Sequence, residues 1–240
     1  MDSLTRKEKE IINNAKLYII DIFKEDSSGH DIEHSLRVFK NSMDISLNIL
    51  SNNKDIKLNL FIIALSAILH DVDDYKLKKN NNGGDPNQNL IFFLEKNNIN
   101  KKEDIDLIKE IICDVSFKAG ETKVPGTLEG KIVQDADRLD ALGAIGIARA
   151  FAFGGSKKRK IYDVKNIDEL HKRNFEPFNM DNVSFEQYKN GKSDTVTHFY
   201  EKLLKLENMM NTEQAKIIAH KRTEFMKDYL KELFEEIISS

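Results

Sequence analysis

The sequence predicts an all-α protein, and three observations support this fold class. Apolar residues recur at helical spacing in most segments, from Ile11 near the start to Phe234 near the end. No run of alternating β-branched residues indicates a strand. Proline occurs only at positions 86, 125 and 177, so helices can be long. We expect a single domain over residues 1–240, with the motif-bearing core at about 30–150 and C-terminal helices at about 194–238.

The composition excludes several classes of protein. With 240 residues, 40% hydrophobic and 32% charged, the chain is typical of a globular protein. The net charge of −3 argues against bulk electrostatic binding to nucleic acid. No apolar run is long enough for a membrane span, and the charged segment Met1–Glu10 is not followed by a signal-peptide core. The single cysteine, Cys113, fits a reducing compartment. We therefore expect a cytoplasmic location, and we expect Cys113 to be a small core residue.

The most informative segment is a helix expected between Leu58 and Asp74. Its residues from Leu60 to Leu69 are apolar on every face, which predicts a buried helix. The helix leads directly into His70-Asp71, followed by Asp73 and Asp74. Buried charge is costly unless it is paired or bound to a metal. This segment therefore indicates an interior metal site, with an ordinary polar helix end as the alternative.

The remaining periodic segments predict further helices at about 11–23, 30–50, 90–94, 104–115, 194–210 and 212–238. Asp31 is the expected cap of the second of these, in which His30 and His34 share a face. Asp85-Pro86 is the expected start of the third. Loops are expected at 76–89 and 116–127, and residues 154–190 should form loops with one short helix.

A second informative stretch, Gly130–Arg149, combines small residues with interleaved aspartates and arginines. We expect a helix that packs closely against its neighbours. Gly143 and Gly146 each weaken a helix by roughly 1 kcal/mol relative to alanine, so tight packing or a bound group should compensate. Asp135 and Asp140 are expected to pair with Arg138 or Arg149.

Imidazole and carboxylate ligands together suit zinc, manganese, iron, cobalt or nickel, and no cysteine accompanies them to favour a structural zinc site. The candidate ligands lie on three predicted helices and are His34, His70, Asp71 and Asp137. Spacing along the chain does not establish that these helices meet.

The order of these residues resembles the H…HD…D signature of the HD superfamily of metal-dependent phosphohydrolases. The matching segments are 34–38, 68–71 and 136–139. The likeness is closer to the bacterial YpgQ/YedJ-like subgroup, through segments 30–34, 134–149 and 210–216 together with Ala219 and Arg222. The resemblance runs from about residue 30 to 226 and covers most of the chain.

The resemblance implies an all-α HD-domain bundle with one divalent metal ion in a cleft between helices. Manganese is the first choice of ion, with magnesium, iron, cobalt, nickel and zinc as alternatives. The implied activity is hydrolysis of a phosphate ester or anhydride, with a nucleoside triphosphate as the expected substrate. A cyclic-nucleotide phosphodiesterase and a non-catalytic nucleotide-sensing protein are the alternatives. A homodimer remains open.

The resemblance also assigns roles around the metal. His34, His70, Asp71 and Asp137 are the implied ligands. Asp74 matches the acidic residue of the HDxxED motif in ppGpp hydrolases, where that residue is Glu, so Asp74 and Asp71 are the catalytic candidates. Asp73 is an alternative to Asp74. His30 is either a fifth ligand or a supporting residue. The candidate substrate-binding residues are Arg138, Lys118 and Arg222.

Overall fold

The computed structural model describes residues 4–23, 32–73, 87–115, 121–184, 186, 191 and 193–238. These residues form ten α-helices and no strand, which confirms the all-α prediction. The helices are α1 (Arg6–Ile22), α2 (Ile32–Asn52), α3 (Leu60–Leu69), α4 (Gln88–Lys96), α5 (Lys102–Val115), α6 (Leu128–Asp140), α7 (Gly143–Ser156), α8 (Val164–Lys172), α9 (Thr195–Glu201) and α10 (Glu213–Ile238). A 3₁₀ helix, Leu203–Met209, follows α9.

The chain divides into two compact units, and the predicted single domain over 1–240 stays a prediction. The first unit comprises Met1–Ser116 and Val124–Asp137, and the second comprises Phe117–Lys123 and Arg138–Ser240. Within the described ranges, no helix combines the length and the apolar character that crossing a bilayer requires.

Helix α3 is the centre of the first unit, where it packs against α1, α2 and α5. Every residue of α3 except Phe61 is buried, which confirms the prediction from its uniformly apolar sequence. Each fully buried Leu or Ile side chain contributes about 1.5–3 kcal/mol of hydrophobic stabilisation. The helix begins where Asn59 Oδ1 accepts a hydrogen bond of 3.2 Å from the Ile62 amide, and it ends at Leu69. The burial of α3 therefore carries His70 and Asp71 into the interior.

Helix α5 corrects the prediction for the single cysteine. The buried face of this helix carries Ile108, Ile111 and Val115, whereas Cys113 is exposed. Cys113 is two residues from Ile111, which is about 200° around an α-helix, so it lies on the opposite face. The expectation of a core cysteine was wrong because it used residue type without the helical phase.

In the second unit, α10 packs against α7 and the 3₁₀ helix, and α9 contacts α7 and α8. The buried Tyr200 on α9 donates a hydrogen bond of 3.1 Å to the Leu170 carbonyl of α8, and burial raises the pKa of Tyr200 to about 12. The predicted continuous helix 194–210 was wrong, because Lys202 has φ −133° and ψ −60°, outside the helical region. Helix α9 therefore ends before Lys202, and a 3₁₀ helix begins after it.

The stretch 130–149 is likewise two helices, because α6 ends at Asp140 and α7 begins at Gly143. Gly143 has φ +71°, a left-handed conformation that favours glycine. A Cβ atom at Gly143 would lie 3.1 Å from Cγ of Arg222, so the arginine stem packs directly over it. A Cβ atom at Gly146 would lie 2.2 Å from the carbonyl oxygen of Ala141. The two glycines therefore permit a close turn between the helices, and tight packing accounts for both of them.

We predict that Gly146→Ala destabilises the protein, although alanine is the better helix former by roughly 1 kcal/mol. The added methyl would displace the Ala141 backbone, and overpacking of this kind typically costs about 1–3 kcal/mol. Gly155→Ala is the matched control on α7, because a Cβ atom there meets nothing within 4 Å. We expect Gly155→Ala to be neutral or stabilising. Chemical denaturation measures both free energies of unfolding, and equal or higher stability of Gly146→Ala would contradict the packing argument.

Candidate metal centre

Two imidazoles and two carboxylates converge inside the first unit. His34 lies in the first turn of α2, and Asp137 lies near the end of α6. His70 and Asp71 occupy the turn that follows α3. The side chains of His34, His70 and Asp71 are 1%, 3% and 9% exposed, whereas that of Asp137 is 25% exposed. Solvent therefore reaches the cluster beside Asp137.

The donor atoms are spaced as ligands of one ion would be. The Nε2 atoms of His34 and His70 are 3.2 Å apart. Asp71 Oδ2 lies 3.4 Å from each of these nitrogens. Asp137 Oδ1 lies 3.3 Å from His34 Nε2 and 3.7 Å from His70 Nε2. Donors about 2.1 Å from one ion are about 3.0 Å apart along an octahedral edge and about 3.4 Å apart along a tetrahedral edge. His34, His70 and Asp137 therefore form a group that can hold one divalent metal ion, and Asp71 Oδ2 lies at a comparable distance from both imidazole nitrogens.

The orientation of His70 also suits a metal ligand. Its Nδ1 atom lies 2.9 Å from the carbonyl oxygen of Ala67, one turn earlier on α3. A carbonyl oxygen only accepts hydrogen bonds, so Nδ1 carries the ring proton. In the neutral ring, Nε2 then has a lone pair directed at the cluster. A backbone carbonyl of this kind commonly fixes the tautomer of a metal-binding histidine.

The electrostatics of the cluster favour a positive charge at its centre. Burial opposes ionisation of Asp137, but a hydrogen bond from His34 and the charges of His70 and His34 outweigh it, so the pKa of Asp137 lies below its usual range. Burial also opposes a charged imidazole, but Asp71 and Asp137 outweigh it and raise the pKa of His70. A proton and a metal ion would therefore compete for the same imidazole nitrogen.

Helix α2 contributes one supporting contact that the sequence analysis missed. The Asn41 side-chain amide donates to the carbonyl oxygen of Ala136, directly before Asp137, over 3.5 Å. Asn41 is seven residues beyond His34 and therefore lies on the same face of α2. The seven-residue spacing from His34 was the sequence signal for a supporting role of Asn41. It was not used, because a lone asparagine on a helix is usually exposed to solvent.

Asp73 serves as a helix cap, a contact that the sequence analysis did not predict, and its role as an alternative to Asp74 stays a prediction. Its Oδ1 and Oδ2 atoms accept hydrogen bonds of 3.0 and 2.9 Å from the amides of Asn89 and Leu90, at the start of α4. The predicted cap and start of this helix, Asp85-Pro86, lies outside the described residues.

Other predicted site residues also fall outside the described ranges. These are His30, the expected cap Asp31, the catalytic candidate Asp74 and the substrate-binding candidate Lys118. Their roles stay predictions.

The arginines singled out from the sequence lie in the second unit. Buried Arg138 donates from Nη1 to the carbonyl oxygen of Met209. Arg222 donates from Nη1 to the Leu139 carbonyl, and burial lowers the pKa of Arg222 although Asp140 opposes this effect. Substrate binding by Arg138 and Arg222 stays a prediction.

The predicted ion pair of Arg149 is confirmed. Arg149 Nη1 lies 2.9 Å from Asp140 Oδ2, and Asp140 is buried. The pair joins α7 to the end of α6.

Comparison with known proteins places this geometry in a family. The HD domain model matches residues 31–142, which include all four donors. The chain is 33% identical over 235 residues to YpgQ of Bacillus subtilis, with 96% of each protein covered.

Solved structures of related proteins also superpose on nearly the whole of this chain. A Lactobacillus plantarum protein superposes with a TM-score of 0.77 at 33% identity, covering 99% of this chain and 100% of that one. YpgQ in complex with ADP gives a TM-score of 0.68 at 30% identity, with 96% of both chains covered. An HD-superfamily hydrolase from Bacillus thuringiensis gives 0.66 at 33% identity, covering 97% and 100%. With a donor cluster that fits a divalent ion and relatives matched over nearly their full length, the chain belongs to the HD superfamily of hydrolases.

Proposed function

We propose that the protein is a metal-dependent phosphohydrolase that cleaves a phosphate ester or anhydride of a nucleotide. The preferred substrate class is a nucleoside triphosphate, cleaved with release of phosphate or pyrophosphate. The observation that carries this proposal is the approach of the Asp71 and Asp137 carboxylates to within 3.3–3.7 Å of the His34 and His70 Nε2 atoms, which are themselves 3.2 Å apart. The structure of YpgQ with ADP supports a nucleotide ligand.

We propose that these four side chains hold one ion, with Mn²⁺ as the first choice because a mixed set of imidazole and carboxylate donors suits it. When bound, such an ion polarises a phosphoryl oxygen and lowers the pKa of a water molecule. Asp71 and Asp137 bring two negative charges, which balance a divalent cation. The occupied site would then carry no net negative charge to repel a nucleotide phosphate. The neutral imidazoles of His34 and His70 complete the donor set without changing this balance.

Three further residues have proposed roles toward the substrate. The guanidinium groups of Arg138 and Arg222 and the ammonium group of Lys118 offer positive charge and hydrogen-bond donors that phosphate oxygens accept. We propose a cytoplasmic location, where the thiol of the exposed Cys113 stays reduced.

A nucleotide panel tests the proposed function. The purified protein is incubated with Mn²⁺ and each ribo- and deoxyribonucleoside triphosphate, with cyclic nucleotides included, and phosphate and pyrophosphate are both measured. We expect hydrolysis of at least one triphosphate that stops when a chelator removes the metal. Pyrophosphate release would show that the bridge between the α- and β-phosphates is the one cleaved. Opening of a cyclic nucleotide alone, or no product from any nucleotide, would contradict the proposal.

Asp71→Ala serves as the inactive variant in this panel. Removing one of few ligands should cost both bound metal and hydrolysis. Asp44→Ala is the matched control on α2, because Asp44 is exposed and pairs with Lys40 at 2.6 Å, and we expect it to retain both properties. Full metal content in Asp71→Ala, measured by elemental analysis, would refute the ligand assignment.

We propose that Asp74 accepts a proton from the attacking water. It follows Asp71 by three residues, the offset of the acidic residue in the HDxxED motif of the ppGpp hydrolases that the sequence resembles. We expect Asp74→Asn to bind metal normally and to lower kcat by about 10²- to 10⁴-fold, because the amide keeps the shape but cannot accept the proton. The measurement is kcat with bound metal quantified in the same sample. Unchanged kcat at full metal occupancy would remove Asp74 from the mechanism.

A further inference from the structure

We propose that Asp73 is a positioning residue for the metal centre, which it orders by fixing the His70–Asp73 turn to the start of α4. This inference rests on the proposed metal-dependent function and adds a residue that does not touch the ion. It follows from the hydrogen bonds around Asp73 and from the local backbone of the turn.

Asp71 lies in a turn and not within a regular helix. Helix α3 ends at Leu69, so Asp71 lies beyond the regular helical hydrogen bonds. The turn retains a backbone hydrogen bond of 3.2 Å from the Val72 amide to the Leu69 carbonyl. A carboxylate ligand in such a turn depends on neighbouring side chains for its position.

Asp73 supplies that constraint by acting as the cap of another helix. Its two carboxylate oxygens accept from the amides of Asn89 and Leu90, the second and third residues of α4. The residue that precedes α4, Asn87, makes no side-chain capping hydrogen bond. A negative charge is also favourable at a helix N-terminus. The start of α4 is therefore capped by a residue from the metal-binding turn.

Asn89 strengthens the same connection. Its side-chain amide donates to the Val72 carbonyl over 2.9 Å. Its own carbonyl accepts a hydrogen bond of 3.1 Å from the Tyr18 hydroxyl of α1. Residues 72 and 73 are thus held to α4 by three hydrogen bonds, and the segment that holds them is itself tied to α1.

The two proposed ligands in the turn are consequently anchored on both sides. On one side, the His70 ring is fixed to α3 through the Ala67 carbonyl. On the other side, Asp73 is fixed to α4. Asp71 lies between these anchors, with Oδ2 placed 3.4 Å from both imidazole nitrogens. Release of the second anchor should let the Asp71 carboxylate move away from the ion.

The test is calorimetric titration of Mn²⁺ into the metal-stripped full chain. We expect Asp73→Ala to weaken Mn²⁺ affinity by about 10- to 100-fold, the usual effect of losing a group that orients a ligand. Asp73→Asn keeps one acceptor oxygen and should fall between Asp73→Ala and the unsubstituted protein. At saturating Mn²⁺, the kcat of each Asp73 variant should return toward that of the unsubstituted protein. A variant that had simply lost its fold would not recover kcat in this way. If Asp73→Ala does not fold, the Asn variant carries the test.

Asp163→Ala is the matched control. Asp163 caps α8 by accepting a hydrogen bond of 3.2 Å from the Lys165 amide. Helices α8 and α4 both have nine residues. Asp163→Ala should lower the thermal melting temperature without changing Mn²⁺ affinity. Unchanged affinity in both Asp73 variants, or equal weakening in Asp163→Ala, would overturn the positioning role. Absence of Mn²⁺ binding by the unsubstituted protein would instead refute the proposed metal centre, and the role of Asp73 with it.

Discussion

The constraint on which the first unit depends is the approach of two carboxylates, buried Asp71 and partly exposed Asp137, to two buried imidazoles. Asp71 and Asp137 approach the same pair of nitrogens within 3.3–3.7 Å, in a region where charge is poorly solvated. Such an arrangement is costly unless a positive charge balances it. A divalent cation would balance the charges of both carboxylates and would bind the Nε2 atoms of both histidines. Two neutral imidazoles carry no charge that could balance the carboxylates. Much of the surrounding structure is explained by the need to hold these four groups together.

Helix α3 meets part of that need through hydrophobic burial. Its apolar surface packs against α1, α2 and α5, which places the following His70 and Asp71 in the interior. Hydrogen bonds then restrict the donors individually. Ala67 orients the His70 ring, and Asn41 holds the backbone directly before Asp137. The apolar core sets where the site lies, and the polar contacts set how its donors are directed.

The features that could be predicted were those that depend on the local sequence pattern. The burial of α3 followed from apolar residues on every face, and the donors followed from imidazoles and carboxylates in a recognisable order. Long-range contacts could not be predicted in this way. The cap provided by Asp73 joins residues 16 and 17 positions apart, whereas local turn signals indicated Asp85, which lies outside the described residues. The interruption between α6 and α7 depends on how Gly143 packs beneath Arg222, a contact between distant residues.

The most direct test of the metal centre is anomalous diffraction at the manganese absorption edge, from crystals grown with Mn²⁺. We expect one strong peak bonded to Nε2 of His34, Nε2 of His70 and carboxylate oxygens of Asp71 and Asp137, at distances of about 2.0–2.3 Å. A structure with no peak at this position, in which the four side chains hydrogen-bond only to one another or to water while manganese binds elsewhere, would contradict it.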